Sequence, residues 1–107
     1  MIINRPLSRK VSRYMIEAQL WVSLKGYAKL KNKEVDIFDE IGSNMLCDFD
    51  IYEGEYDGKK VGLIDVYIIS DSATQVASDF KRFRFFLREL CGEPLKIISM
   101  VRMSAPI

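Results

Sequence analysis

Asp57-Gly58, set between two runs of alternating apolar and polar residues, constrains this chain more than any other pair of positions. A two-residue hairpin turn needs positive φ at its central residues, and Asp-Gly is among the few pairs that accept it. Cys47, Phe49 and Ile51 alternate with Asp48, Asp50 and Tyr52 before the turn, and residues 61–69 return after it. The turn sets the register: Tyr56 faces Lys59, Ile51 faces Ile64, and Phe49 faces Val66. These apolar pairs share one face, and a slip of one residue would turn the whole row outward.

A helix is expected over 73–91. Ser72 is placed to be its N-cap, and Gln75 three residues later fits a capping box. Ala73, Val76, Ala77, Phe80, Phe83, Leu87 and Leu90 recur at helical spacing and form one apolar stripe. Gly92 stands where a left-handed C-terminal residue belongs, and Pro94 stops continuation.

The first third carries two periods. Tyr14, Ile16, Ala18, Leu20, Val22 and Leu24 alternate with polar neighbours, whereas Leu7, Val11, Tyr14, Ala18 and Trp21 lie at helical spacing. The helical reading puts Lys25 on its seam and meets Gly26, so the strand is favoured. A turn at Asn32-Lys33 would then pair Lys31 with Glu34, Lys29 with Asp36, Tyr27 with Phe38 and Lys25 with Glu40. Leu30–Val35 and Ala28–Ile37 would lie behind them, as in an antiparallel ladder, with Gly26 at a bulge. The expectation is an α+β fold: a four-stranded antiparallel meander, then the amphipathic helix packed on one sheet face, then a C-terminal strand near 95–103. Residues 14–107 form one domain, and residues 1–13 a basic arm or short helix carrying Arg5, Arg9, Lys10 and Arg13.

The chain has 107 residues, no histidine and two cysteines, Cys47 and Cys91. Without histidine the commonest general base near neutral pH and the commonest transition-metal ligand are missing. Two cysteines make neither a disulfide framework nor a structural zinc site, and they are read as reduced thiols of a cytoplasmic protein. No apolar run is long enough to cross a bilayer. The expectation is a non-enzymatic binding protein with no cofactor.

Charge is segregated along the sequence. Residues 1–33 carry eight basic side chains and one acid, 34–80 twelve acids and two lysines, and 81–107 six basic groups and two acids. Two basic surfaces follow. On the expected long strand, Trp21, Lys25, Tyr27, Lys29 and Lys31 interleave rings and cations, a pattern that stacks bases and tracks phosphates. On the helix, Arg82, Phe85 and Arg88, with Lys81, lie opposite the core stripe. Together they point to nucleic acid, single-stranded favoured. The alternative is a protein-interaction module (an inhibitor, immunity-type or adaptor protein) that uses the same charge fields to dock an oppositely charged protein. The hairpin register also sets Asp50 opposite Asp65, with Asp48 on the same face, a weak cation candidate. A final strand apolar on both faces favours a homo-oligomer.

Overall fold

The computed structural model describes residues 12–106. The basic-arm reading of the N-terminus therefore falls outside the described residues, apart from Ser12 and Arg13, which open the first strand. The elements in chain order are β1 (Ser12–Val22), α1 (Leu24–Asn32), α2 (Glu34–Asn44), β2 (Leu46–Tyr56), β3 (Lys59–Ser70), α3 (Ala73–Cys91) and β4 (Lys96–Pro106). The four strands form one antiparallel sheet in the order β2-β3-β1-β4. This is the ferredoxin-like split βαβ arrangement with α2 added before β2.

The α+β class, the four-stranded antiparallel sheet, the amphipathic helix and the C-terminal strand stand. The hairpin register holds pair by pair, Tyr56 opposite Lys59, Ile51 opposite Ile64, Phe49 opposite Val66. Asp57 and Gly58 take φ of 55° and 76°. α3 begins and ends as its caps dictate: Ser72 Oγ accepts from Gln75 N at 3.2 Å, and Gly92 is left-handed with φ 79°.

The meander is corrected. Residues 24–44 are two helices, so the ladder pairing Lys31 with Glu34 and Tyr27 with Phe38 does not exist. The fourth strand of the sheet is β4, which pairs with β1 along its length. Ser23 explains the change. Its hydroxyl caps the next segment by accepting from Gly26 N at 3.1 Å. Ser23 also binds Glu93 Oε1 through its backbone N–H, at 2.8 Å, and its hydroxyl, at 2.6 Å, clasping the start of α1 to the α3–β4 loop. Gly26 lies buried in the first turn of α1, not in a strand bulge.

The core lies between the sheet and the helices. Ile16, Ala18, Leu20 and Val22 of β1 and Ile64, Val66 and Ile68 of β3 meet Val76, Phe80, Phe83 and Leu87 of α3. Leu30 of α1 and Ile37 and Ile41 of α2 join the same cluster. Phe38 of α2 stacks on Phe49 of β2 with centroids 4.4 Å apart, and Phe49 tilts against Phe83 at 5.7 Å. Residues alternate along each strand, so the sheet presents a second set of side chains on its other face, and among the described residues all three helices pack on the core side.

Candidate functional site

The open face has three zones, set by the register of β1, β2, β3 and β4. At one end Trp21 of β1 lies beside Tyr56 of β2 with centroids 5.7 Å apart, and Lys96 Nζ of β4 sits 4.5 Å from the Trp21 ring centre. Leu63, which the register places between Trp21 and Tyr52, is buried beneath them. In the middle runs a polar band of Glu17, Gln19, Asp48, Asp50, Asp65 and Ser99 around a shallow depression of about 520 Å³. At the far end Met15, Leu46, Ile69 and Met103 are apolar, with Leu46 68% exposed.

The opposed acids follow the expected register, Asp50 facing Asp65. Asp65 is already served: one carboxylate oxygen accepts from Tyr52 Oη at 2.9 Å and the other from Gln19 Nε2 at 3.1 Å. Gln19 Nε2 also donates to Tyr52 Oη at 3.0 Å. Desolvation, followed by the Asp65 hydrogen bond, raises the Tyr52 pKa above its ordinary value. These neutral donors give Asp65 partners without a cation. Among the described residues no group of three or more His, Cys, Asp or Glu side chains is arranged to hold a metal ion, and of Asp48, Asp50 and Asp65 only Asp50 and Asp65 are directly opposed.

The two sets of basic candidates are dispersed. Trp21 is on the open sheet face, but Lys25, Tyr27, Lys29 and Lys31 are on α1, in the layer behind the sheet. Tyr27 packs against the core, and Lys31 Nζ is bound to Glu34 at 3.1 Å and to the Ile51 carbonyl at 3.0 Å. Lys25 and Lys29 remain exposed, one helical turn apart. On α3, Arg82 spans 2.7 Å to Asp79, whose carboxylate is buried and also accepts from Gln75 at 2.7 Å. Phe85 is 58% exposed and Arg88 is exposed. Phe85 and Phe86 line a groove of about 430 Å³ against Ile41 and Met45, rimmed by Glu40, Lys81 and Arg82.

No family model matches this chain. No curated protein matches it either. Two solved structures share the arrangement. A de novo designed protein, Foldit4, is 13% identical with a TM-score of 0.51, covering 89% of this chain and 98% of that one. A structural-genomics protein, YJCS, is 16% identical with a TM-score of 0.51, covering 85% and 96%. At such identities the likeness is one of fold.

Neither cysteine is set up as a nucleophile. Burial, with Asp48 and Asp79 nearby, pushes the Cys47 thiol up to about 12, and burial raises that of Cys91. Among the described residues no helix is long and apolar enough to cross a membrane. Sequence reasoning found the acids of the open face through the Asp57-Gly58 register. It missed Gln19, Tyr52 and Lys96, whose roles depend on β1 lying between β3 and β4, a neighbourhood that no local pattern announces.

Proposed function

We propose that this chain is a non-catalytic interaction module that docks a protein partner on the open face of its sheet. The observation that carries this reading is the acidic band at the middle of the open face. Glu17, Asp48, Asp50 and Asp65 lie exposed together there with no cation among them. The exposed cations of the helical side, Lys25, Lys29, Lys81 and Arg88, are instead interspersed with Asp36, Asp39, Glu40 and Glu89. A phosphate chain would be repelled by the acidic band, whereas a basic protein surface complements it and is steered toward it. The apolar ends, Trp21 with Tyr56 and Leu46 with Met103, supply contact area on either side of the band. The Trp21 ring is occupied by Lys96 and Tyr56, which leaves it poorly placed to stack a base.

The test is retention of a partner from nuclease-treated extract on the immobilised protein, comparing the wild type with Glu17→Gln/Asp48→Asn/Asp50→Asn. Loss of the captured protein in the neutralised variant, and its release by moderate salt, is the expected result. Equal capture by both proteins overturns the reading.

A second reading keeps nucleic acid as the partner and moves it to the helices. Lys25 and Lys29 of α1 and Lys81, Phe85 and Arg88 of α3 are all exposed, and α1 and α3 pack against one another. Anisotropy of labelled single-stranded and duplex DNA across a salt series tests it. Binding that weakens steeply with salt, and whose slope falls in Lys25→Ala/Lys29→Ala, favours this surface. No binding at low salt removes it.

A further inference from the structure

Among the described residues β4 is an edge of the sheet, and no described strand pairs with the backbone donors and acceptors of its outer side. The other edge, β2, is guarded. Asp48, Asp50, Glu53 and Glu55 stand along it, and repeated like charge is a standard defence of an edge strand. β4 lacks that defence. It contains no acid, its only charges are Lys96 and Arg102, and Lys96 is held over Trp21 of its own sheet.

Apolar side chains are bare on both faces of β4. Ile97 and Met100 face the helical side at 42% and 39% exposure, and Val101 and Met103 the open side at 51% and 37%. The single irregularity lies near the start, where Gln19 pairs with Ser99 but Leu20 with Ile97. From Ser99 onward the strand is regular, and its one proline is the final residue of the element.

We infer that the β4 edge pairs antiparallel with β4 of a second copy, joining two four-stranded sheets into one of eight across a two-fold axis at Val101. An edge of this kind accepts an extended strand, and both faces of that strand must be tolerant of apolar neighbours. β4 itself meets that description. Val101 is the middle residue of Lys96–Pro106, so an axis there gives the greatest overlap. In that register Val101 meets its own symmetry mate, Ser99 meets Met103, and Met100 meets the stem of Arg102. No two cations are directly opposed, whereas an axis at Arg102 would oppose two guanidinium groups.

Symmetry adds a second argument. An isologous pair uses up both β4 edges and leaves only the acid-guarded β2 edges outside, so the assembly stops at two. Pairing β4 with β2 of the next copy would be charge-complementary, but it would leave a free edge at each end and grow into filaments. The seam is a modest one, because eleven residues on a side is about half of what a standard interface uses. Dissociation in the micromolar range is the expected strength. Ser99, Val101 and Met103 border the proposed docking face, but its test changes only Glu17, Asp48 and Asp50 and leaves β4 untouched, so failure of either idea is read separately.

The experiment is sedimentation equilibrium of the full chain from 1 μM to 500 μM, with Val101→Lys and with single cysteine replacements, Val101→Cys and Leu46→Cys. The expected mass rises from one to two times 12.4 kDa with concentration, and Val101→Lys weakens association at least tenfold. Val101→Cys should form a disulfide-linked dimer under mild oxidation, because directly opposed residues place their Cα atoms within bridging distance. Leu46→Cys, exposed on the β2 edge, should not. Far-ultraviolet circular dichroism confirms that Val101→Lys keeps its fold, and Val101→Cys reports the seam without removing it. A single-chain mass at 500 μM overturns the inference, as does a dimer indifferent to Val101→Lys. So does a mixed disulfide between the Val101→Cys and Leu46→Cys proteins accompanied by higher oligomers.

Discussion

Gly62 of β3 sits where α1 lands on the sheet, and replacing it with alanine tests that landing directly. A Cβ at Gly62 would overlap Tyr27 Cβ and stand 3.0 Å from Tyr27 Cγ and 3.1 Å from Cδ1. Tyr27 Cβ is fixed to the α1 backbone, so no rotamer change relieves the overlap and the helix itself has to move. Overpacking of this kind costs about 1–3 kcal/mol. Stiffening the unfolded chain returns about 0.4–1 kcal/mol of that. At the middle of these ranges the net loss is roughly 1.3 kcal/mol, a fall in Tm of about 5–10 °C for a domain of this size. Gly54→Ala is the control. Its Cβ would meet Leu63 Cδ1, the far end of a side chain that can rotate away, so the change should stay within about 0.5–1 kcal/mol of zero. Urea unfolding followed by circular dichroism measures both. Adding Tyr27→Ala should relieve Gly62→Ala only in part, because alanine removes the 3.0 and 3.1 Å contacts with Cγ and Cδ1 but keeps the overlapping Cβ. A neutral Gly62→Ala would refute the packing of α1 on β3, and with it the removal of Tyr27 from the sheet face.

Arg82→Ala should destabilise by about 1.5–3 kcal/mol in urea melts, because it strips a charge-assisted bond from the buried Asp79. Arg82→Lys should recover only part of that loss, since Arg82 also donates to the Asn44 carbonyl at 3.4 Å. Cys47 should resist iodoacetamide at pH 8 in the folded protein. Its thiol pKa, about 12 when folded, exceeds the ordinary thiol value, so the unfolded chain loses that proton first. The stabilisation is therefore complete below the ordinary thiol range and is lost as pH rises toward 12, and Cys47→Ala should flatten that part of the profile. Asp65→Asn should bring the Tyr52 titration, followed by ultraviolet absorbance, back toward the ordinary tyrosine range, though not fully, because burial is the larger cause.

The half of the fold that was legible in the sequence is the half specified by local signals. Asp57-Gly58 set the register of β2 against β3, and Ser72 with Gly92 bounded α3. Residues 24–44 misled because their charges satisfy two geometries at once. Lys31 and Glu34 pair equally well across a two-residue turn or three residues apart on a helical path, and the structure takes the second. Leu30, Ile37 and Ile41, buried at helical intervals, carried the correct period but were outnumbered by the alternation of lysines and acids. The open-face acids were found for the same reason as the hairpin. Their neutral partners were not, since Gln19 reaches Tyr52 and Asp65 only after β1 has inserted beside β3.

That insertion governs how the chain can fold. β2 and β3 close through a two-residue turn, so their ladder can form early and alone. β1 has no sequence neighbour to pair with: Met15 lies against Ile69 on one side and Met103 on the other. Both seams close large loops, and non-local pairing is what slows a sheet protein. The kinetic barrier should therefore belong to the docking of β1, with substitutions at Ile16 or Leu20 slowing folding and substitutions near Gly58 altering chiefly the earlier, local step.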